Sequence, residues 1–354
     1  MIKKKRNFDL RAFARPSVLN LRPYASAKDE FTDFEQDLIY IDANENPYEN
    51  GMNRYPDPHQ KKLRQKISEI KKVPVNNILL GNGSDEILDL IFRVFMEPGI
   101  DNIVISVPTF GMFRVLCGVN DIECRQALLD SEFQLQVDEI VELMDERTKA
   151  IFICSPNNPT GNLMRKEDIL SLLDTGRIVV VDEAYADFAS NESMSALIAE
   201  YPNLIVTQTF SKAYGMAGIR LGMCFAQEEV IELLKKVKMP YNVNVLTQNV
   251  ALKQLSDPES FRKELAEIIN NKKRLEQELG ACEVVQKIFP SDSNFLLIRV
   301  DDANKRYEQL IKKGLVVRNR SKEPLCENCL RITVGTPEEN RRLIEAMHDF
   351  DKKF

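Results

Sequence analysis

Histidine is scarce in this chain, because His59 and His348 are the only two among 354 residues, and tryptophan is absent. This scarcity disfavours a Ser-His-Asp hydrolase and a histidine-based metalloenzyme, because both need histidine side chains. Proton transfer in any catalysed reaction must therefore use lysine, tyrosine, aspartate or glutamate side chains.

Cysteine is scattered and odd in number, with seven residues in all. Cys326 and Cys329 have the spacing of metal ligands, but no second pair of this kind exists, which argues against a structural zinc site. No apolar run is long enough to span a bilayer, and no apolar segment follows the basic residues 3–6, which argues against a signal peptide. We therefore expect a cytoplasmic protein with free thiols, no bound metal and no membrane contact.

The net charge of −6 disfavours a nucleic-acid partner. Hydrophobic residues make up 44% and charged residues 29% of the chain, which is typical of an ordinary globular protein. The length is sufficient for one large domain, a smaller one and a substantial core.

Strands and helices are predicted to alternate between residues 76 and 225. Residues 84–95 carry a helical stripe of apolar side chains, whereas the strands are continuous apolar runs. Continuous runs indicate strands covered on both faces, as in a mainly parallel sheet, whose functional loops lie at the carboxyl ends of the strands. The predicted strands are 77–80, 103–105, 150–154, 178–181 and 204–206.

The pattern changes after residue 228. Charge-rich helices are predicted at Glu228–Val237 and Pro258–Leu279, followed by apolar runs at 294–300, 315–317 and 330–334. This order indicates a long helix that leads into a second, α+β domain.

Lys212 lies in the most informative segment, Thr209-Phe210-Ser211-Lys212, which follows the strand predicted at 204–206. A lysine at a strand end can form an imine with an aldehyde. The hydroxyls of Thr209 and Ser211 and the guanidinium of Arg220 can hold a phosphate on the same molecule. Pyridoxal 5′-phosphate carries both groups, although a lysine beside a serine is more often a solvated surface residue.

Four further segments occur in the order typical of the fold-type I pyridoxal-phosphate enzymes, the aspartate aminotransferase superfamily, which this chain resembles: Gly81–Glu86, Val107–Phe110, Ser155–Gly161 and Asp182–Tyr185. The resemblance implies an α/β, fold-type I PLP-dependent transferase with a mainly parallel seven-stranded sheet in its large domain and a smaller α+β domain. The implied limits are 41–250 for the large cofactor-binding domain and 251–354 for the small one. Residues 1–40 are expected to pack with the small domain.

The resemblance also implies roles at the cofactor ring, where Lys212, Asp182 and Tyr185 form the catalytic set. Asp182 would keep the pyridine nitrogen protonated, Asn158 and Tyr185 would contact the phenolic oxygen, and Phe110 would stack on the ring. Apart from the resemblance, Asp182 can equally cap a helix, Asn158 can belong to a turn, and the two aromatic side chains can simply be packed.

The cofactor phosphate is expected at the loop before the predicted helix 84–95. Ser84 and Asp85 would offer backbone N–H groups at a helix N-terminus, although a glycine turn with a serine is equally suited to plain helix initiation. The resemblance implies that Tyr55 reaches the phosphate in a neighbouring subunit, which predicts a homodimer with shared active sites. A solvent-facing loop tyrosine is the alternative.

Six segments are similar to the histidinol-phosphate aminotransferase subfamily, and the similarity spans residues 20–340. Arg331, within an apolar run, is the expected clamp for a substrate carboxylate, with a solvent-facing edge arginine as the alternative. Arg318 is expected to bind a substrate phosphate, in a pocket that Tyr24 and Asn244 help to line. The segments are Leu21–Tyr24, Asp42–Pro47, Tyr55–Asp57, Pro240–Asn244, Gly314–Arg318 and Leu330–Thr333.

The reaction that this resemblance implies is amino-group transfer between L-histidinol phosphate and 2-oxoglutarate, which gives imidazole-acetol phosphate and L-glutamate in histidine biosynthesis. An aminotransferase for aromatic amino acids and a phosphothreonine decarboxylase remain alternatives within the same fold. A non-catalytic pyridoxal-phosphate sensor is an alternative from another class. The intact set of cofactor residues disfavours the sensor, as does an N-terminal segment too short for a DNA-binding module.

Overall fold

The computed structural model describes residues 8–23 and 39–351. The strands are β1 (Ile78–Asn82), β2 (Asn102–Val107), β3 (Glu123–Leu128), β4 (Thr148–Cys154), β5 (Ile178–Asp182), β6 (Leu204–Thr209), β7 (Leu221–Phe225), β8 (Val285–Ile288), β9 (Phe295–Val300), β10 (Arg318–Asn319) and β11 (Cys329–Thr333). The helices are α1 (Leu10–Phe13), α2 (Pro16–Leu19), α3 (Lys61–Lys71), α4 (Gly83–Phe95), α5 (Met112–Asn120), α6 (Val137–Glu142), α7 (Lys166–Asp174), α8 (Glu228–Val237), α9 (Val245–Leu255), α10 (Pro258–Leu279), α11 (Ala303–Lys312) and α12 (Pro337–Asp351).

Seven strands form one large sheet in the order β1-β7-β6-β5-β4-β2-β3. Five neighbouring strands are parallel to one another: β6, β5, β4, β2 and β3. Strand β7 is antiparallel to both of its neighbours, β6 and β1. The prediction of an α/β fold with a mainly parallel seven-stranded sheet is confirmed.

The central strands are buried and largely apolar because helices cover both faces of the sheet. In β4, Ile151 and Ile153 belong to the core on one face, while Phe152 and Cys154 belong to the core on the other. All residues of the strand except Lys149 are buried, and the burial of apolar area stabilises the fold by roughly 25 cal/mol for each Å². The edge strand β3 is mostly exposed and polar, and its sequence predicted no strand.

A second sheet of four antiparallel strands, in the order β10-β11-β9-β8, forms the centre of the small domain. It has a separate core, to which α10, α11 and α12 contribute. The helices predicted at Glu228–Val237 and Pro258–Leu279 have these bounds in the structure, as α8 and α10. The apolar run 315–317 is not a strand, because pairing begins only at Arg318.

The described part of the N-terminal segment packs on the large domain, so for residues 8–23 the predicted packing with the small domain is wrong. Ala14 and Val18 are buried in the core cluster that also contains side chains of α4 and α8. Arg15 pairs with Glu97 at 3.1 Å. The reason is that these two helices leave an apolar surface on the outside of the large domain, which α1 and α2 cover.

The connection between the domains lies after the predicted limit at residue 250. Helix α9 continues to Leu255, whose side chain is buried in the core of the large domain. The next helix, α10, begins at Pro258 and extends to Leu279, which is buried in the small domain. No helix in residues 8–23 and 39–351 is long and apolar enough to cross a membrane.

Candidate active site

A cavity of about 670 Å³ lies where the carboxyl ends of the parallel strands meet the small sheet. Strands β2, β4, β5 and β6 all end at this edge, so the loops that follow them converge although they are far apart in sequence. The predicted site residues that line the cavity are Ser84, Asp85, Phe110, Asn158, Asp182, Tyr185, Thr209, Ser211, Lys212, Arg220, Arg318 and Arg331.

Lys212 follows β6 and faces the cavity, with its Nζ atom 5.6 Å from the centre of the Tyr185 ring. Desolvation within the cavity lowers the pKa of this amine, and the positive charge of Arg331 lowers it further. The Lys212 amine forms no hydrogen bond and no ion pair with any of the described residues. A lowered pKa increases the fraction of neutral amine, which is the form that acts as a nucleophile or a base.

Asp182 is the last residue of β5 and only 2% exposed. Its carboxylate accepts hydrogen bonds of 3.2 Å from the Thr207 hydroxyl and from the Ala184 backbone N–H. Burial nevertheless raises the pKa of Asp182 to about 7, because no cation is paired with it in the part of the chain that the structure describes. Such a carboxylate is suited to a ligand that brings a positively charged N–H group.

Two adjacent asparagines have different functions in the loop after β4. The buried side chain of Asn157 donates to the Pro108 carbonyl at 2.9 Å and to the Thr160 hydroxyl at 2.7 Å, which holds the loop in place. The side chain of Asn158 instead lines the cavity, where its oxygen accepts a hydrogen bond from Arg331. This arrangement supports the choice of Asn158 as the site residue.

Tyr185 lies beside Asp182, with its ring packed edge-on against Phe295 at a centroid distance of 5.1 Å. Burial is the main cause that raises the pKa of the Tyr185 hydroxyl well above its ordinary value. The hydroxyl therefore keeps its proton at neutral pH and can donate a hydrogen bond into the cavity.

The N-terminus of α4 forms a site for an anion at another end of the cavity. Ser84 and Asp85 lie in its first turn, where backbone N–H groups have no intrahelical partner. The Thr209 and Ser211 hydroxyl oxygens are 3.0 Å apart, and Arg220 Nη2 lies 3.3 Å from Asp85 Oδ2. Hydroxyl groups, helix N–H groups and a guanidinium together suit a phosphate.

Strand β7 approaches the start of α4 so closely that glycine is required at two positions. A Cβ atom on Gly222 would lie 2.3 Å from the Ser84 backbone nitrogen. A Cβ atom on Gly83 would lie 2.6 Å from Arg220 Nη2, and Gly83 has a left-handed φ of +77°. The sequence predicted a glycine turn here, but it carried no signal that β7 closes on that turn.

Phe110 lines the cavity after β2 and packs edge-on against Phe113, with ring centroids 5.7 Å apart. Its neighbour Thr109 also lines the cavity, and the Thr109 hydroxyl donates to the Asn157 side chain at 3.1 Å. Sequence reasoning missed Thr109, because only the fold brings this loop against the loop after β4.

Three arginines of the small domain face the cavity: Arg318, Arg320 and Arg331. Arg331 in β11 is paired with Arg318 in β10, and its guanidinium carbon lies 5.2 Å from the centre of the Phe295 ring. Burial lowers the pKa of Arg331, and the nearby charge of Arg320 lowers it further. Sequence reasoning missed Arg320, although residues two apart on a strand share a face, and Arg318 was already a candidate.

Two predicted site residues, Asn244 and Tyr55, are not brought into this cavity, and a third cannot be placed. Tyr24 lies outside the described residues. Asn244 caps α9, where its side-chain oxygen accepts a hydrogen bond from the Thr247 backbone N–H at 2.9 Å. Tyr55 stacks on Tyr241 with ring centroids 4.5 Å apart and lines a separate cavity, so its predicted role requires the site of a second chain.

The described residues contain no group of three or more histidine, cysteine, aspartate or glutamate side chains placed to hold a metal ion. Cys326 and Cys329 are free thiols, and both are buried in the core.

Residues 34–347 match the family described as aminotransferase class I and II. The chain is 51% identical to the histidinol-phosphate aminotransferase of Flavobacterium psychrophilum over 342 residues, which are 96% of this chain and 99% of that protein. It is similar in fold to the crystal structure of the histidinol-phosphate aminotransferase from Clostridium acetobutylicum, with a TM-score of 0.78, 24% identity, and coverage of 85% of this chain and 91% of that one. A histidinol-phosphate aminotransferase from Sinorhizobium meliloti, solved in complex with pyridoxal-5′-phosphate, has a TM-score of 0.76 at 21% identity and covers 84% of this chain and 83% of its own.

Proposed function

The chain belongs to the aminotransferase class I and II family, within its histidinol-phosphate aminotransferase group, and we propose that it transfers the amino group of L-histidinol phosphate to 2-oxoglutarate. The products are imidazole-acetol phosphate and L-glutamate, as in histidine biosynthesis. One observation carries the proposal: a single cavity brings together Lys212, the buried Asp182 and a group of arginines. Neither Lys212 nor Asp182 has an ion-pair partner among the residues that the structure describes.

Pyridoxal 5′-phosphate, the cofactor of this reaction, matches the side chains of the cavity. Asp182 is the partner for a protonated ring nitrogen. The positive charge of that nitrogen would offset the unfavourable desolvation of the buried Asp182 carboxylate. The helix start at Ser84, the hydroxyls of Thr209 and Ser211, and Arg220 are the binding groups for its phosphate. The Phe110 ring provides a face on which an aromatic ring can stack.

When bound, the cofactor supplies an aldehyde that takes up the amino group and an electron-withdrawing ring that stabilises negative charge on the substrate carbon. Lys212 Nζ is the group that would remove the proton from this substrate carbon and deliver a proton to the cofactor carbon that carried the aldehyde. Burial lowers the pKa of this amine and the charge of Arg331 lowers it further, which favours the neutral form that accepts a proton.

The residues around Lys212 hold protons in fixed places rather than moving them. The Thr207 hydroxyl and the Ala184 backbone N–H hold the carboxylate of Asp182, which would accept the protonated ring nitrogen. The Tyr185 hydroxyl stays protonated and would donate to the cofactor's phenolic oxygen, which the Asn158 amide would also contact.

The two substrates present different anions to the same arginines. L-Histidinol phosphate has a phosphate ester but no carboxylate, so the division predicted from the sequence, with Arg331 for a carboxylate and Arg318 for a phosphate, does not apply to it. We assign both arginines to the phosphate of this substrate. When glutamate or 2-oxoglutarate binds, the same side chains hold carboxylates, which are also bidentate partners of guanidinium groups.

The half-reactions can be tested by the visible spectrum of the purified protein with its cofactor. L-Histidinol phosphate should convert the absorption band of the lysine-bound cofactor into that of the aminated cofactor, and 2-oxoglutarate should restore it. L-Phenylalanine and O-phospho-L-threonine serve as comparison substrates, with released carbon dioxide measured for the second. A protein that ignores histidinol phosphate but converts with phenylalanine, or that releases carbon dioxide, would refute the proposed substrate.

We also propose that the enzyme is a cytoplasmic homodimer with shared active sites. Seven free cysteines support a reducing compartment. Tyr55 supports the dimer, because it lies outside the cavity of its own chain, while its family role is to contact the cofactor phosphate of a neighbouring subunit.

A further inference from the structure

Arg320 lines the active-site cavity but has no role in the function proposed above. It follows β10, and its backbone N–H donates to the Cys329 carbonyl at 2.8 Å, so the pairing of β10 with β11 extends by one residue. Because side chains two apart on a strand share a face, Arg318 and Arg320 point to the same side, where Arg331 also lies.

The three arginines have no acidic partner within the part of the chain that the structure describes. Arg320 Nε and Arg331 Nε are both buried and form no hydrogen bond. The acid that follows most closely, Glu323, is held by Arg114 at 3.1 Å. Buried donors without acceptors are costly and therefore indicate that an acceptor from a ligand completes them.

The positive charges of the cavity are unevenly compensated. Asp85 pairs with Arg220 at the start of α4, and Asp182 is buried at the end of β5 in the large domain. Neither neutralises the arginines of the small sheet. Arg320 and Arg331 line the same cavity, and the Nε atoms of both side chains are buried there. The guanidinium groups of Arg320 and Arg331 therefore converge on one space.

Two converging guanidinium groups suit a phosphate monoester better than a carboxylate. A carboxylate has two oxygens and one charge, and a single bidentate arginine satisfies it. A phosphate monoester has three free oxygens and a charge of about −1.5 to −2 at neutral pH, so further guanidinium groups find acceptors on it.

We propose that Arg320, together with Arg331 and Arg318, binds the phosphate of the amino substrate, and that Arg320 determines the preference for a phosphorylated amine over a dicarboxylic amino acid. This inference rests on the proposed function. Arg320 is assigned to substrate recognition only, since the proton transfer at the substrate carbon belongs to Lys212.

The decisive experiment compares the two half-reactions of the cofactor-loaded Arg320→Gln variant. Single-turnover spectra recorded against increasing L-histidinol phosphate and, separately, L-glutamate give an apparent Kd and a limiting rate for each. We expect the apparent Kd for histidinol phosphate to rise by roughly 10- to 100-fold, the range for a lost hydrogen bond to a charged group. The apparent Kd for glutamate should change by less than about 3-fold, and both limiting rates should stay near those of the wild type.

Two further variants separate direct contact from general electrostatics. Lys322→Gln removes a positive charge from an exposed residue of the same loop that does not line the cavity, and it should leave both Kd values unchanged. Arg320→Lys keeps the charge but loses the planar fork, and it should recover only part of the affinity for histidinol phosphate. Thermal unfolding of each variant reports whether the fold is intact.

Equal weakening of both substrates in Arg320→Gln, or no weakening of either, would overturn the inference. A wild-type enzyme that reacts with glutamate but not with histidinol phosphate would instead refute the proposed function. In that case inorganic phosphate, used as an inhibitor of the glutamate half-reaction, still tests Arg320. Weaker inhibition by phosphate in Arg320→Gln supports the anion site, and unchanged inhibition refutes it.

Discussion

At the scale of single residues, the most informative feature is a buried carboxylate that has no cation in the described protein. Asp182 is held by two hydrogen bonds, yet burial raises its pKa from 3.8 to about 7. Its ionised form is therefore unfavourable in the folded chain alone. A ligand with a protonated ring nitrogen reverses this situation, because the carboxylate then gains the partner that it lacks.

This pKa shift predicts how stability depends on pH. Between pH 4 and pH 7 the folded, cofactor-free protein binds more protons at Asp182 than the unfolded chain does, so the free energy of unfolding falls as pH rises. The Asp182→Asn variant has no ionisable group at this position. Its free energy of unfolding should therefore lack the fall that the titration of Asp182 causes. Relative to the variant, the wild type should lose about 2–3 kcal/mol between pH 5 and pH 8 in urea unfolding of the cofactor-free proteins.

The comparison with Asp182→Asn cancels the titration of all other groups. Saturating cofactor provides the second control, because a cationic partner lowers the pKa of Asp182 and should remove most of the pH-dependent difference. Parallel stability profiles of the two cofactor-free proteins would show that Asp182 keeps an ordinary pKa.

At the scale of elements, the phosphate site depends on how closely β7 approaches the start of α4. The pairing of Asn82 with Leu221 and of Gly81 with Gly222 brings the two elements together. A side chain at Gly222 would press against the Ser84 backbone N–H, which is one of the groups proposed to bind phosphate. Glycine is therefore required at position 222 because the backbone of α4 lies too close for a side chain, and not because the strand needs flexibility.

Gly222→Ala should consequently damage both stability and cofactor binding. Overpacking of this kind costs about 1–3 kcal/mol, and the shift of Ser84 should raise the Kd for pyridoxal phosphate. Gly118→Ala is the matched control, since Gly118 lies within α5 and a Cβ atom there would meet no atom within 4 Å. That change should stabilise the protein by about 0.5–1 kcal/mol. Normal cofactor affinity and stability in Gly222→Ala would contradict the assigned contact.

At the scale of the whole molecule, a single chain leaves an apolar surface around residues 39–55 exposed. Ile39, Ile41, Tyr48 and Met52 are all more than half exposed, and Tyr55 is 49% exposed. Several exposed apolar side chains in one segment are typical of an interface, and a second copy of the chain is the partner that the predicted role of Tyr55 requires.

Shared sites can be tested by mixing two inactive variants. Lys212→Ala should abolish turnover, and Tyr55→Ala should weaken it strongly by loss of a phosphate contact. After unfolding and refolding together, mixed dimers should regain activity, because the site that contains the intact Lys212 then receives Tyr55 from the other chain. A mixture of Lys212→Ala and Asp182→Asn is the control, since both residues belong to one chain's site and no mixed dimer has an intact one. Equal behaviour of the two mixtures, or a monomeric mass, would refute the shared site.

Much of the candidate site was predictable because its parts are short and local. Asp182, Asn158 and Lys212 each follow a buried apolar strand in a run of adjacent residues, and parallel strands bring their carboxyl ends to one edge. The predictions that failed or were missing depend on contacts between distant segments. They include the packing of Ala14 and Val18 on the large domain and the inclusion of Arg320.

The sequence by itself determined the order of the elements, the two-sided burial of the central strands and the identity of the residues that follow them. These properties follow from periodicity and from side-chain chemistry within a few neighbouring residues. Only the tertiary structure decided that β7 closes on α4, that three arginines face one cavity, and that Asp182 is buried with no cation beside it in the described part of the chain. The physical reason is that desolvation and charge repulsion at one residue are set by side chains that lie far away in the chain.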